Sequence, residues 1–503
     1  MTVPSHNLFC VFEASFRAAG SRIAITSADG ALRLSFEDLL DGAARYANTL
    51  AALGVEPGDR VTVQVEKSIA NVLLYLGVLK AGGVYQPLNT AYTKAEVDYF
   101  IGDAEPKLIV CDPARQQSMR QLADRHKVFA VVNLDQKGEG TLSRMADEMD
   151  TRHDTVERGP DDMAGLLYTS GTTGRSKGAM ITHANLRSNA ATLVKLWHIT
   201  SADRLLHALP IFHVHGLFVA LNSCFMAAAE LIWFDKLDVA GLIKAMPEAS
   251  LMMGVPTFYT RLLAAKDFTA GTAANMRLFI SGSAPLLAET HQDFKARSGH
   301  AILERYGMTE TGMITSNPYD GERLPGTVGF ALPDVSVRIR GDQPGVIEVK
   351  GPNVFQGYWR MAEKTREEFT ADGYFITGDV GTIGNDGRVS IVGRARDLII
   401  SGGFNVYPKE IEEVLDAIAE IGESAVIGVP HRDFGEAVVA VVTAKAPLPP
   451  EAEIIARLSE TLAKFKIPKR IFVAAGLPRN AMGKVQKAEL RKLYAGTFLN
   501  LDQ

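Results

Sequence analysis

The order of apolar runs predicts an α/β multidomain protein. A large N-terminal body holds two helix-covered sheets plus a small β-barrel, and a smaller α+β domain follows at the C-terminus. Three observations predict it. Over roughly the first 300 residues, short β-rich runs alternate with helical-period segments. Near residue 326 the texture changes to short β runs broken by Gly, Asp, Asn and Pro, and after Gly393-Arg-Ala-Arg396 a compact mixed unit begins. The 503 residues are about three domains' worth of chain.

Each element follows from its local pattern. A β-branched run at 61–65 reads as a strand, an apolar segment at 68–80 as a helix, and 84–88 as the next strand. Helices at 93–102 and 115–125 enclose a strand at 107–111 and lead to another at 128–132. The rhythm returns with strands at 164–167, 205–209, 229–234, 250–253 and 278–281, which argues for largely parallel sheets covered by helices. The runs at 335–339, 346–350, 374–377 and 389–391 read as an antiparallel barrel or meander over about 326–392. A boundary near 395 divides the chain into 1–395 and 396–503. The second part carries helices at 408–418 and 450–464 and strands at 424–429, 438–443 and 471–475.

Composition narrows the class. Lys+Arg 53 against Asp+Glu 58 leaves a net charge of −5, so no basic face for nucleic acid or an anionic membrane is expected. Three distant cysteines (Cys10, Cys111 and Cys224) make neither a disulfide framework nor a zinc site, and a reducing, cytoplasmic setting is expected. Glu13 and Arg17 interrupt the N-terminus where a signal peptide needs an apolar run, and no run long enough to span a membrane occurs. The 45 glycines are a mild excess, and where they cluster matters.

The sharpest cluster is Leu167-Tyr-Thr-Ser-Gly-Thr-Thr-Gly-Arg-Ser-Lys-Gly178, between a strand and a helix starting near His183. Alternating glycines and hydroxyls leave N–H and O–H groups free to wrap phosphate oxygens, and Lys177 adds a point charge. It is not a Walker A loop, whose lysine directly follows its second glycine. Further on, Tyr306-Gly-Met-Thr-Glu310 gathers a ring, a hydroxyl and a carboxylate, and Asp379 ends an apolar strand where it could accept hydrogen bonds from ribose hydroxyls.

With Tyr168–Gly178 the chain resembles the adenylate-forming superfamily of acyl-CoA synthetases, amino-acid adenylation domains and beetle luciferases. Six further motifs follow in that family's order. They are Ile280-Ser-Gly-Ser-Ala-Pro-Leu286, Glu304-Arg-Tyr-Gly-Met-Thr-Glu310, Tyr374-Phe-Ile-Thr-Gly-Asp379, Gly393-Arg394, Ser401-Gly-Gly-Phe-Asn-Val-Tyr-Pro-Lys-Glu410 and Pro478-Arg-Asn-Ala-Met-Gly-Lys484. The resemblance implies ATP contacts from Thr169, Ser170, Gly171, Thr172, Thr173, Gly174 and Lys177, and from Ser283, Ala284 and Pro285. It adds Glu304, Arg305, Tyr306, Gly307, Met308 and Thr309, with Asp379 and Arg394 on the ribose and Tyr306 stacked on adenine. Thr309 would bind the α-phosphate, and Glu310 would hold Mg²⁺. Composition alone reads Lys484 as an exposed lysine; the resemblance makes it the group that stabilises charge as a carboxylate attacks the α-phosphate. The family turns its C-terminal unit between two half-reactions, with Arg396 at the hinge position, where Asp or Lys is commoner. Gly402, Gly403 and Phe404 would then line a coenzyme A channel.

The acyl pocket is expected from Pro210-Ile-Phe-His-Val-His-Gly216, from Met253-Gly-Val-Pro-Thr-Phe-Tyr-Thr-Arg261 and from Ser281 to Ser283, with Met308. A fatty-acid tunnel would be apolar, whereas this one places Arg261, His213 and two serines. A cation in an apolar segment is costly unless paired, and a second carboxylate on the substrate could pair it; a surface salt bridge is the bland reading of Arg261. His215 is expected as a satisfied structural histidine. Within the superfamily the combination is most similar to malonyl-CoA synthetases, which implies malonate, with methylmalonate second. The rivals are a synthetase for another short or aromatic acid, an amino-acid adenylation domain, and an inactive nucleotide-binding regulator. No carrier domain is expected in the 19 residues after Lys484. A protein lysine acetyltransferase and a deacylase acting on Lys484 are the protein partners that follow.

Overall fold

The computed structural model describes residues 5–169, 176–401, 404–431, 434–462, 464–480 and 483–498. Two helix-covered sheets form the N-terminal body. One runs in the order Ala130–Asn133, Leu108–Cys111, Arg60–Gln64, Val84–Pro87, Met163–Thr169, Lys177–Thr182, and is parallel except for the last pair. The other has nine strands. Its interior (Leu303–Met308, Leu278–Ser281, Leu251–Gly254, Arg204–His207, Glu230–Trp233, Ile23–Ser27) is parallel, and antiparallel strands close both ends.

Helix Ile69–Lys80 has apolar residues almost all round because it is buried within this body, with Leu74, Tyr75, Leu76, Val78 and Leu79 fully covered. Ser68 caps it by accepting from the Asn71 N–H. One hydrophobic core runs continuously through both sheets. Among the described residues no helix is long and apolar enough to cross a membrane.

The segment expected as a barrel or meander takes the meander form. Strands Ser336–Arg340, Gly345–Lys350, Phe375–Ile383 and Val389–Arg394 pair antiparallel in sequence order, and among the described residues the two end strands do not pair with each other. The C-terminal part centres on Gly435–Ala444, which pairs with Ile421–His431 antiparallel and with Arg470–Ala474 in parallel. Helices Pro408–Asp416 and Glu451–Ser459 cover one face, and Lys487–Tyr494 the other. The helix expected at 450–464 ends at Ser459, and Lys464–Lys466 forms a separate tight turn.

Candidate active site

Strands Arg204–His207, Leu251–Gly254, Leu278–Ser281 and Leu303–Met308 lie side by side and parallel, so their carboxyl ends open on one edge of the sheet. That edge is where open α/β sheets hold ligands. The segments leaving it carry most of the candidate residues: 208–216, 255–261, 281–285 and 306–310.

On one side of this edge, Asp379 and Arg394 face each other across an antiparallel pair, with Arg394 Nε 2.6 Å from Asp379 Oδ1. The Tyr306 hydroxyl donates to Asp379 Oδ2 at 2.5 Å. Burial and then the Asp379 charge push the Tyr306 phenol well up. Gly307 must be a glycine, because a Cβ there would meet the Gly312 carbonyl oxygen at 2.1 Å. Glu310 is buried, and burial raises its carboxyl. It accepts from the Thr169 hydroxyl at 3.2 Å, and the Tyr358 hydroxyl oxygen lies 3.2 Å from it. Thr309 lines a small internal cavity with Asn185 and Asn189, and Met308 packs on the main core. Glu304 is buried and accepts from the Gly326 N–H at 3.3 Å; burial pushes its carboxyl up to about 8.

Lys177 is also buried. Its ammonium lies 2.6 Å from Glu368 and 4.0 Å from the centroid of the Tyr358 ring. Neither partner was legible in the sequence. Residues 357–359 arrive there because the Met180 N–H donates to Gly357 O and the Trp359 N–H to Gly178 O, a pairing between distant segments. Ser170, Gly171, Thr172, Thr173 and Gly174 lie outside the described residues, as do Gly402, Gly403 and the Phe404 side chain.

On the other side lies Arg305, expected among the nucleotide contacts. Its guanidinium lies flat against Gly282, where a Cβ would sit 2.3 Å from the guanidinium carbon. The residue is buried, Nε and Nη2 have no hydrogen-bond partner, and no carboxylate pairs with it among the described residues. Burial lowers it to about 9, so it still carries its charge at neutral pH. Beside it, His215 Nδ1 and the Ser283 hydroxyl are 3.2 Å apart. Contrary to expectation His215 is not satisfied, since its buried Nε2 has no partner; nor has the buried Ser281 hydroxyl. Ser283 itself sits at φ +70°, a strained turn that leads into Ala284 and Pro285.

The same 208–216 segment carries His213. Burial, then the charges of Lys484 and Arg305, hold it neutral, down to about 3. The Lys484 side chain is exposed, although enough protein packs around it to make its charge costly. Burial first, then the Arg394 charge, lower its ammonium to about 8. The C-terminal part thus brings Lys484 within reach of the charges of Arg394, Asp379 and Glu310. Arg396 is exposed and near enough to act on Lys484.

Arg261 is exposed at the end of helix Pro256–Ala264 and has no ion pair among the described residues. It lies one turn beyond Thr257, on the same helix face. Thr257 is the residue that Gly483 approaches. Sequence reasoning also missed a cavity of about 210 Å³ behind the 210–212 loop, lined by Val65, Lys67, Tyr85, Leu88, Phe212 and Phe258. Its walls come from both sheets, so no local pattern announces it.

Residues 12–359 match the family model described as AMP-binding enzyme, and 410–484 match the AMP-binding enzyme C-terminal domain. A malonate–CoA ligase of Arabidopsis thaliana is 34% identical over 97% of this chain and 89% of its own. The crystal structure of ATP-bound MatB from Rhodopseudomonas palustris is 52% identical over 98% of this chain and all of its own, with a TM-score of 0.96. The apo structure of that MatB superposes less closely, at 0.85 with the same coverage and identity. With both family models matched in order across most of its length, the chain belongs to the AMP-binding enzyme family.

Proposed function

We propose that this protein is an ATP-dependent malonate–CoA ligase. A malonate oxygen attacks the α-phosphorus of ATP, forming malonyl-AMP and releasing pyrophosphate. The coenzyme A thiol then attacks the acyl carbon, forming malonyl-CoA and releasing AMP. The intermediate is needed because a carboxylate has no usable leaving group toward a thiol at neutral pH. One observation carries the choice of acid. Arg305 is a buried guanidinium with unpartnered N–H groups on the acyl side of the site. A buried cation without a counter-charge is costly, and a second carboxylate on the substrate supplies one. Ser281 and His215 offer further unpartnered polar atoms beside it, and the similarity to ligases named for malonate supports the same reading.

The residues then divide the work. Asp379, with Arg394 and Tyr306, holds the nucleoside. Lys177 meets the phosphates, Arg305 and Arg261 the distal carboxylate, and Lys484 the charge that develops during attack on phosphorus. Glu310 with the Thr169 hydroxyl is a hard oxygen set that fits Mg²⁺. No cluster of three His, Cys, Asp or Glu side chains suited to a metal occurs among the described residues, so phosphate oxygens would complete the shell. When bound, the ion would neutralise phosphate charge. The 396–503 unit turns about Arg396 between the half-reactions, bringing Gly402, Gly403 and Phe404 to the coenzyme A path. The three free cysteines suit a cytoplasmic setting. An acetyltransferase and a deacylase acting on the accessible Lys484 complete the reading.

Pyrophosphate release measured with malonate, methylmalonate, succinate, acetate and benzoate tests it. Malonate is expected to give the highest turnover, with methylmalonate second. Strong turnover with acetate and none with malonate would overturn the assignment.

A further inference from the structure

We propose that Glu368 is a built-in rival to the outer phosphates of ATP for Lys177, and that it promotes the departure of pyrophosphate. The inference rests on the nucleotide site proposed above, but not on malonate as the acid.

The geometry is specific. Glu368 follows the short helix Ala362–Glu367, and its side chain is 18% exposed. One carboxylate oxygen is 2.6 Å from Lys177 Nζ and 3.4 Å from Lys364 Nζ. The other accepts from the Tyr358 hydroxyl at 2.7 Å. Although burial alone would raise its pKa, Lys177 and Tyr358 hold it lowered, so the group is an anion at neutral pH. Lys177 meanwhile sits over the Tyr358 ring, which fixes the ammonium from a second side. The lysine of the phosphate loop is therefore already paired, in a place built for the pair.

A phosphate reaching Lys177 must either take it from Glu368 or share it with Glu368. In the first case an ion pair is broken, and in the second two anions are held close together. Both lower the affinity for the anion, so the sign of the effect does not depend on which occurs. The same competition favours the reverse step. Once the α–β bond is cut, Glu368 can recapture Lys177, and pyrophosphate loses one of its holds. A site that must grip a triphosphate and then let two phosphates go benefits from a counter-anion already in place.

Glu368→Gln tests this, because it removes the charge and keeps the shape. The KM for ATP and the inhibition constant of pyrophosphate should both fall, by about fivefold, which at 1.4 kcal/mol per tenfold is about 1 kcal/mol. Inhibition by AMP, which lacks the outer phosphates, should stay within twofold, as should the KM for the acid. Glu368→Asp keeps the charge but shortens its reach, and should move both constants the same way by less. That variant carries the test if the glutamine form does not fold. An unchanged or raised KM for ATP, or a pyrophosphate constant that does not fall, would refute the proposal. So would AMP affinity moving in step with ATP affinity, since that would indicate a general loosening of the site. Because ATP and pyrophosphate are the readouts with any acid that supports turnover, failure here is distinct from failure of the malonate assignment.

Discussion

Replacing Arg305 by Met should separate activity from stability. In the free enzyme the guanidinium is buried, charged and short of partners, so its removal relieves a cost instead of breaking a bond. An unsatisfied buried polar group costs about 1–3 kcal/mol, so the Met variant should melt no lower than the wild type, and up to a few degrees higher. With malonate bound the balance reverses. The distal carboxylate would face a pocket without its cation, and losing one partner of a buried, hydrogen-bonded charge pair costs about 2–5 kcal/mol. Taking about 3 kcal/mol, kcat/KM for malonate should fall about 150-fold. Propionate, which has no distal carboxylate, should lose little or even gain. The assay is AMP release with each acid, beside a thermal melt at the same pH. A Met variant that keeps its malonate-over-propionate preference would refute the role given to Arg305, and so would one that melts well below the wild type while both acids fall together.

Arg261→Ala, at an exposed position on the helix face that Gly483 approaches, should raise the malonate KM several-fold and spare monocarboxylates; equal effects on propionate and malonate in steady-state kinetics would count against it. Lys484 must carry its proton to stabilise the adenylation transition state, so kcat/KM for ATP should fall as pH rises through about 8, and a profile flat to pH 9.5 would contradict this. Lys484→Gln, an acetyl-lysine mimic, should abolish adenylation yet largely spare thioester formation from supplied malonyl-AMP; equal loss of both half-reactions would sink that division. Glu304 has a raised folded pKa of about 8, so its contribution to stability is complete below the ordinary carboxylate range and is lost as pH rises toward 8. Glu304→Gln mimics the protonated form, and its melting midpoint should gain on the wild type steadily from pH 5 to 8; a constant gap would show that Glu304 is ionised in the folded protein.

Much of the fold was legible because its signals are local. The strand Leu278–Ser281 and the start of helix His183–Leu196 fall where the apolar runs and their boundaries place them. Ser68 was read as the first residue of a helix and serves as its cap. The site was legible as a set of motifs, but its geometry was not. Arg261 drew attention as a cation in an apolar segment, yet helix geometry turns it to an exposed face. Arg305 looked like an ordinary member of a motif, and its burial depends on the missing side chain of Gly282, 23 positions away in sequence and one strand away in space. Glu368 and Tyr358 reach Lys177 through backbone pairing between distant segments, for which a single sequence carries no signal. The π-helical turn His215–Leu221 has no periodicity of its own to betray it.

These placements explain how a chain with a net charge of −5 can collect anionic substrates. The favourable charge is internal. Burial, with the charges of Lys484 and Arg305 added to it, keeps His213 neutral. In the proposed reading a dicarboxylate sets one carboxylate on the buried guanidinium and presents the other toward Lys484, near an uncharged imidazole. If His213 were protonated it would compete for the attacking carboxylate and weaken its nucleophilicity; neutral, it can orient that group without holding it. A monocarboxylate of the same length would leave Arg305 unpaired. In that reading selectivity comes less from added attraction for malonate than from the cost of leaving that buried cation unanswered.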